Sequence, residues 1–263
     1  MLKSGFSLSM RWVVFAAFAA AAFGAPALAT AGGSPPLRIA FVGDSMADGL
    51  WGAMFRRLGK DKCLADKVKL IRRAENGTGL TRLDKYDWVN KVGAIAADPG
   101  ADLFVGSFGV NDRQSIVDVD KKRTEFGGPD YDGRYEGIVE DVVQSALSHG
   151  SSFLVMGLPV MLDAAANADA DAKNKLFEEA VAHVASPRAV YVAPWTSQPP
   201  PDVYKPFLPN AKQTLVQARA PDGVHFTTFG YDVVMDTFYP AIMDSLKQRG
   251  RDVAAECEQM GAQ

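Results

Sequence analysis

The chain contains 263 residues, of which 48% are hydrophobic and 22% are charged. This composition is typical of a folded protein with a full hydrophobic core, and it excludes a disordered chain or a fibre. The 28 Lys and Arg residues against 31 Asp and Glu residues give a net charge of -3. Because a protein that binds nucleic acid needs an excess of basic residues to neutralise phosphates, we expect no nucleic-acid partner.

The N-terminal residues 1–29 predict a secretory signal peptide. Lys3 and Arg11 precede the apolar run WVVFAAFAAAAF, and Ala27 and Ala29 then follow at the two positions that a signal peptidase reads. The run is shorter than the roughly 20 residues that span a bilayer, so we expect no integral membrane span after cleavage, with an uncleaved anchor as the alternative. The predicted location is therefore periplasmic or secreted.

The remaining chain is predicted to hold a short linker, residues 30–36, and one domain, residues 37–263. Cys63 and Cys257 both lie in that domain. An exported protein can form disulfides, but the sequence does not show whether these two cysteines meet, so a disulfide and free thiols both stay open.

Strands and helices alternate along the predicted domain. In chain order, the hydrophobic pattern predicts strand Leu37–Val42, helix Met46–Leu58, strand Val68–Ile71, helix Trp88–Ala97, strand Leu103–Phe108, helix Arg134–Ser148, strand Phe153–Met156, helix Asp171–Val184, strand Val190–Ala193 and helix Tyr231–Leu246. Short apolar strands separated by helices favour a parallel sheet covered on both faces, in a doubly wound, three-layer α/β/α domain. Such a sheet binds its ligands at the C-terminal ends of the strands. The Pro-rich segment Pro194–Pro209 predicts an ordered surface loop.

A candidate nucleophile follows the first predicted strand. Gly43, Asp44 and Ser45 lie where that strand passes into its helix, so the Ser45 hydroxyl would stand beside the free amides of the helix N-terminus. Glycine allows a sharp turn there, and the positive end of the helix favours a developing anion. Ser and Asp are also ordinary helix caps, which is the alternative interpretation of this triplet.

Two further loops follow the second and third predicted strands. Asn111 and Asp112 come after the third strand, from which the Asn111 amide could point at the group that Ser45 attacks. After the second strand, Gly77 and Gly79 lie in a loop where a backbone N–H can approach a ligand closely, and we select Gly79 as that donor. Ordinary turn formation is the alternative for both loops.

Asp222 and His225, just before the last predicted helix, form a candidate acid–base pair. With Gly223 turning the chain between them, Asp222 can accept a hydrogen bond from the imidazole and fix its tautomer. The other ring nitrogen is then free to take a proton from a serine. A purely structural Asp–His pair is the alternative. His149, at the end of a predicted helix, and His183, on another, are interpreted as charge partners of a helix C-terminus or as surface residues.

These segments, taken together, resemble the sequence blocks of the SGNH/GDSL hydrolase superfamily. The resemblance is carried by Gly43-Asp44-Ser45, Gly79, Gly109–Asp112 and Asp222–His225, and it covers nearly the whole predicted domain. Met46 stands where the family usually has Leu or Ile, and a flexible apolar residue should pack in the same way.

The resemblance implies a five-stranded flavodoxin-like sheet and assigns roles to the site residues. Ser45 would be the nucleophile, His225 the base and Asp222 the residue that orients the base. The Ser45 and Gly79 amides and the Asn111 side chain would form the oxyanion hole. The implied mechanism needs no cofactor or metal, and Asp44 and Asp48 have no His or Cys cluster nearby that would make them metal ligands.

Several residues near these blocks are expected to support the site or to contact substrate, namely Asp44, Arg82, Tyr86, Trp88, Asp112 and Arg113. The two arginines lie beside predicted site loops and could bind an acidic acyl group or polymer, with a solvated surface position as the alternative. Trp51, Tyr86 and Trp88 could stack on sugars if they are exposed, whereas a core position is equally compatible with the sequence.

The sequence therefore predicts an exported serine esterase that hydrolyses acyl esters, above all O-acetyl esters of a cell-envelope or extracellular carbohydrate. Its partner would be an acylated small molecule or glycan. One alternative is an O-acyltransferase that uses the same serine to modify a periplasmic glycan. Another is a glycan-binding envelope protein that performs no catalysis.

Overall fold

The computed structural model describes residues 34–195 and 203–261. The predicted signal peptide, most of the predicted linker and part of the Pro-rich segment lie outside the described residues. No helix within the described ranges is long and apolar enough to cross a membrane.

Strands and helices alternate through most of the described chain. In chain order they are β1 Leu37–Gly43, α1 Ser45–Leu58, α2 Lys62–Lys67, β2 Val68–Ala74, α3 Trp88–Ala97, β3 Leu103–Ser107, β4 Ile116–Val117, β5 Arg123–Thr124, α4 Tyr131–Leu147, β6 Ser152–Met156, α5 Ala164–Val184, β7 Ala189–Val192, β8 Phe207–Pro209, β9 Leu215–Gln217, α6 Thr228–Gln248 and α7 Val253–Gly261. Every helix and strand predicted from the hydrophobic pattern is present, with shifts at several ends.

The central sheet has five strands in the order β2-β1-β3-β6-β7, and all its neighbouring pairs are parallel. Gly43, at the end of β1, is in register with Ala74 of β2 and Ser107 of β3. The carboxyl ends of these strands therefore meet at one edge of the sheet. The chain reverses its direction of winding between β1 and β3, and in such folds ligands bind in the crevice at that point.

Each face of the sheet packs against its own layer of helices. Ala40, Val42 and Phe104 belong to a buried cluster that includes side chains of α3, α4 and α5. Ile39 and Phe41 belong to a second cluster with α1 and α6. Successive residues of a strand point to opposite faces, so a sheet covered on both sides needs uninterrupted apolar strands. The predicted three-layer α/β/α architecture is confirmed.

The elements that the hydrophobic pattern missed are short or mostly polar. They are α2, α7 and two small antiparallel hairpins, β4–β5 and β8–β9. A six-residue helix or a two-residue strand is too short to show a hydrophobic period. The disulfide that the sequence left open is present, and it links Cys63 of α2 to Cys257 of α7 with their Cα atoms 5.7 Å apart.

Candidate active site

The turn from β1 into α1 places Ser45 at the carboxyl edge of the sheet. Gly43 has a φ of +126°, and a Cβ at this position would collide with the Ser107 carbonyl group of β3. Glycine is therefore required for this close approach. Asp44 caps α1, because its Oδ1 accepts a hydrogen bond from the Met46 amide at 2.9 Å. Ser45 is consequently the first residue of the helix.

A continuous chain of hydrogen bonds joins Ser45, His225 and Asp222. The Ser45 Oγ lies 2.6 Å from Nε2 of His225, and the opposite ring nitrogen, Nδ1, lies 2.7 Å from Oδ2 of Asp222. The His225 side chain is 33% exposed, so a substrate can reach it. This is the arrangement in which one ring nitrogen is held by a carboxylate while the other accepts the serine proton.

The loop that carries His225 also fixes the carboxylate. Partial burial acts to raise the pKa of Asp222, but hydrogen bonds from the Val224 and His225 amides and from the imidazole outweigh it, so the pKa lies below its ordinary value. Both amides donate to Oδ1 at 2.9 Å. Asp222 is therefore ionised at neutral pH and can stabilise an imidazolium on His225.

Three potential donors lie at the carboxyl edge of the sheet, in the loops after β1, β2 and β3. The Asn111 Nδ2 donates one of its hydrogens to the Thr78 carbonyl oxygen at 2.7 Å, which orients the amide and leaves its second hydrogen for another acceptor. The backbone N–H groups of Ser45 and Gly79 make no hydrogen bond to any other described residue. These groups are available to a ligand atom.

The structure separates the two glycines that the sequence left as alternatives. Gly79 is buried against the Asp112 carboxylate, and a Cβ at Gly79 would collide with it. Gly77 is exposed and has open space around it. Because Asp112 adjoins Asn111 in the chain, Gly79 is the glycine that lies beside the Asn111 loop.

Asp112 connects the Gly79 loop to the loop after β3. It is fully buried and accepts hydrogen bonds from the Leu80 amide, the Thr81 hydroxyl and the Tyr135 hydroxyl, each at 2.9 Å. A carboxylate with these partners and no exposed surface does not contact substrate. Of the two roles expected for Asp112, contact with substrate is wrong because tertiary packing encloses the side chain, whereas support of the site agrees with its hydrogen bonds.

Asp44 and Trp88 are also fully buried, so of the two expected roles they can support the site but cannot contact substrate. Burial raises the pKa of Asp44 to about 8, and its Oδ2 has no hydrogen-bond partner among the described residues. The Trp88 indole N–H donates to the Thr78 hydroxyl at 3.1 Å, and its ring packs edge-on against Phe108. Trp88 therefore supports the loop that carries Thr78 and Gly79.

The other residues that were expected to support the site or contact substrate lie closer to the surface. The Arg82 side chain is 38% exposed and is paired with Asp84 at 2.8 Å. The Arg113 side chain is 45% exposed and lies 3.7 Å from an Asp163 carboxylate oxygen, beyond hydrogen-bond distance. Tyr86 is partly buried and packs against Trp88. Arg113 thus keeps the most freedom to meet a ligand.

Trp51 is not a free aromatic surface. Its ring stacks on Phe55 with centroids 5.3 Å apart, and the Arg72 guanidinium lies over it. Both partners of the ring are long side chains of α1 and β2. The expected use of Trp51 for sugar stacking is not supported by this packing.

Arg219 is a site residue that the sequence did not reveal. It is 2% exposed, and its guanidinium donates to the Val160 carbonyl at 2.7 Å and to the Val224 carbonyl at 2.9 Å. It also lies over the Phe226 ring at 4.3 Å. The guanidinium therefore fastens the loop that carries His225 to the loop after β6. No spacing pattern marks it, because an isolated arginine in a sequence is usually a surface residue.

Leu162 is a second residue that the sequence did not reveal. Its amide donates to the Gly223 carbonyl at 3.0 Å, and its side chain covers Gly223, which lies between Asp222 and His225 in that loop. The side chain is nevertheless 60% exposed. It forms an apolar wall beside the Asp222–His225 pair.

Within the described residues, the group of side chains that could hold a metal ion lies away from these loops. It consists of Glu136 and Glu140 on α4 and His183 on α5. The His183 side chain is 66% exposed and lies 2.7 Å from a Glu136 carboxylate oxygen. None of the three residues belongs to a loop at the carboxyl edge of the sheet.

Solved structures with the same fold include several esterases. A carbohydrate esterase family 3 protein from Talaromyces cellulolyticus is 12% identical, with a TM-score of 0.55, and the match covers 81% of this chain and 99% of that chain. Est24, a carbohydrate acetylesterase from Sinorhizobium meliloti, is 14% identical, with a TM-score of 0.52 and coverage of 78% and 98%. TesA is 15% identical, with a TM-score of 0.53 and coverage of 79% and 99%. These similarities confirm the fold that the SGNH/GDSL resemblance implied.

Sequence comparison gives the family. No curated protein is significantly similar to the chain in sequence. The model of one family, described as "Protein of unknown function (DUF459)", matches residues 38–241, which is most of the chain and includes every residue of the Ser45–His225–Asp222 arrangement. The chain belongs to the DUF459 family.

Proposed function

We propose that this protein is an exported serine esterase that hydrolyses acyl esters, above all O-acetyl esters of carbohydrates. The observation that carries the proposal is the hydrogen-bonded chain from Ser45 through His225 to Asp222 at the carboxyl edge of the sheet. Such a chain activates a hydroxyl that is otherwise a weak nucleophile at neutral pH.

The chemistry follows from the positions of the side chains. The His225 Nε2 takes the proton from the Ser45 hydroxyl as Oγ attacks the ester carbonyl carbon. His225 then returns that proton to the alcohol oxygen as the carbon–oxygen bond breaks, which leaves an acyl-serine. A water molecule then loses a proton to His225 and attacks the acyl carbon. His225 returns that proton to the Ser45 Oγ as the bond between Oγ and the acyl carbon breaks, which releases the carboxylic acid and regenerates Ser45.

The oxyanion of each tetrahedral intermediate would accept hydrogen bonds from the free donors near Ser45. These are the Ser45 and Gly79 amides and the second hydrogen of the Asn111 amide. The Ser45 amide also lies at the N-terminus of α1, whose partial positive charge favours an anion. One donor of this kind contributes about 2.7 to 4 kcal/mol to the transition state.

Two observations support a carbohydrate ester as the substrate. The proteins of the same fold include one that is a carbohydrate esterase and one that is a carbohydrate acetylesterase. The predicted signal peptide would also bring the enzyme to acylated glycans outside the cytoplasm.

The first test is hydrolysis of p-nitrophenyl acetate by the protein from residue 30 onward. Ser45→Ala should lower kcat by about 10⁴-fold or more, because the nucleophile is lost. Ser148→Ala, at an exposed position after α4, is the matched control and should keep full activity. Equal rates in the wild type and Ser45→Ala would refute the proposal.

A second measurement then identifies the reaction class. Acetate release from acetylated polysaccharides, lost in Ser45→Ala, is the expected result for an esterase. A gain of acyl mass on an acceptor sugar that exceeds hydrolysis would instead show an O-acyltransferase. Glycan binding that is equal in the wild type and Ser45→Ala, without turnover of any ester, would show a binding protein.

A further inference from the structure

An open cavity of about 340 Å³ lies between the first turns of α4 and α5. On α5 its wall is formed by Ala165, Ala168 and Ala172, whose methyl groups leave the space unfilled. The opposite wall contains Phe126, from the turn after β5, and Tyr131, the first residue of α4. A cavity of this volume is within the range that holds a small ligand.

The cavity adjoins the loop that carries Asn111. Arg113, two residues further along that loop, lines the cavity, and the Tyr131 hydroxyl donates to the Asp112 carbonyl oxygen at 2.8 Å. Lys173, another lining residue, packs against Gly109 at the start of the loop. A molecule that fills the cavity would therefore lie next to the loop that carries Asn111.

The lining combines an exposed aromatic ring with balanced charges. Phe126 is 45% exposed, and its ring stands nearly perpendicular to that of Tyr131, at 85°. Lys173 is buried and paired with Asp169, whereas Arg113 and Asp132 lie near the surface. Because the two basic residues are offset by two acidic ones, the lining favours a neutral ligand over an anion or a cation.

A pyranose ring matches this combination of groups. It carries no charge, it has an apolar face of C–H groups that packs on an aromatic ring, and its hydroxyls both donate and accept hydrogen bonds. Phe126 would supply the aromatic surface, Asp132 an acceptor and Arg113 a donor. An exposed phenylalanine has no polar group to hydrate, so covering it with a sugar face removes apolar surface from water.

We propose that this cavity is a subsite for one neutral pyranosyl residue of the acylated glycan, adjacent to the sugar whose ester Ser45 attacks. The inference rests on the proposed esterase function and extends it to the choice of substrate. Its consequence is a preference for acylated oligosaccharides over acylated monosaccharides. Phe126, Arg113 and Asp132 bind the neighbouring sugar and take no part in bond breaking.

The test compares Phe126→Ala with Phe55→Ala. Phe55 is a matched control, since it is 59% exposed and lies on α1, away from the cavity. On partially acetylated neutral tetrasaccharides of glucose, mannose, galactose and xylose, Phe126→Ala should lower kcat/KM for at least one by about 5- to 10-fold through KM. Its rate on p-nitrophenyl acetate should stay within about two-fold of wild type, as should both rates of Phe55→Ala.

A binding measurement separates this inference from the esterase proposal. Titration of Ser45→Ala with the four unacetylated tetrasaccharides, followed by NMR or calorimetry, should show binding that Phe126→Ala weakens by the same factor. The subsite is refuted by any of three results. Phe126→Ala loses equal activity on p-nitrophenyl acetate and on the oligosaccharides, none of the four tetrasaccharides binds, or an oligogalacturonate binds more tightly than they do. Binding that depends on Phe126 without any esterase activity would support the sugar-binding site and refute the proposed esterase function.

Discussion

Arg219 should be essential to the geometry of the Asp222–His225 loop. In Arg219→Met, a side chain of similar length fills the space but donates no hydrogen bond. The carbonyl oxygens of Val160 and Val224 have no other hydrogen-bond partner among the described residues, whereas the Gly223 carbonyl keeps the Leu162 amide.

The magnitude follows from those two carbonyls. An unpaired buried polar group costs about 1 to 3 kcal/mol, and because Val160 and Val224 are only partly buried, the two carbonyls together should lower the free energy of unfolding by about 1 to 3 kcal/mol in Arg219→Met. Arg219→Lys keeps the charge but has a single nitrogen, so its loss should be smaller. Arg56→Met removes a surface pair with Asp232 and should cost about 0 to 1 kcal/mol, which makes it the matched control.

Two assays distinguish positioning from stability alone. Urea unfolding gives the change in free energy, and the pH profile of kcat/KM for p-nitrophenyl acetate reports the base. Because the guanidinium holds the loop that carries His225, Arg219→Met should lower kcat and displace the acidic limb of that profile, at temperatures where the variant is folded. A stability loss below about 1 kcal/mol refutes the hydrogen-bond accounting. A normal pH profile in a destabilised variant refutes the positioning role.

Other residues give independent predictions. Asn111→Ala should lower kcat for p-nitrophenyl acetate by about 10²- to 10³-fold with little change in unfolding free energy, since it removes one oxyanion donor, and undiminished kcat would exclude Asn111 from that role. Burial raises the pKa of Asp44 from 3.8 to about 8, so the native protein keeps a proton that the unfolded chain releases. Stability should therefore fall as pH rises from about 4 to about 8, by up to about 1.4 kcal/mol per pH unit from this group, and an unchanged slope in Asp44→Asn would contradict the shift. Replacing Cys63 and Cys257 together by Ala opens a loop of 194 residues and should lower the free energy of urea unfolding by about 2 to 5 kcal/mol relative to the oxidised wild type. The reduced wild type should be as stable as the variant.

The sequence by itself determined the layers of the fold and the edge at which the site lies. Short apolar strands separated by amphipathic helices pack economically as a sheet covered on both faces. The predicted helix Trp88–Ala97 even has the same bounds in the structure. A parallel sheet brings the carboxyl ends of its strands together. The loops with Ser45, Gly79 and Asn111 could therefore be predicted to lie at one edge without knowledge of the contacts between them.

Helix ends and small elements were less predictable for local reasons. The helix α5 begins at Ala164, earlier than the predicted Asp171. The hydrophobic pattern missed its first turns because they are alanine-rich and show no amphipathic period. Its actual start is set by Asp163, whose side chain accepts a hydrogen bond from the Ala166 amide. Such a cap is common enough in sequences that it does not locate a helix start alone.

Only the tertiary structure decided which polar side chains of the site face solvent. Asp44, Asp112 and Trp88 stand in the expected loops but are fully buried, whereas Arg113 is open to a ligand. Burial depends on segments far apart in the chain, such as the Tyr135 hydroxyl of α4 that reaches Asp112.

The same reason applies to Arg219 and to the disulfide. Arg219 acts on a loop after β6, and Cys63 meets a cysteine 194 residues away. A sequence records which residues are present and how far apart they lie along the chain. Hydrogen bonds and disulfides depend on distances in space, and those are set when the helices pack on the sheet.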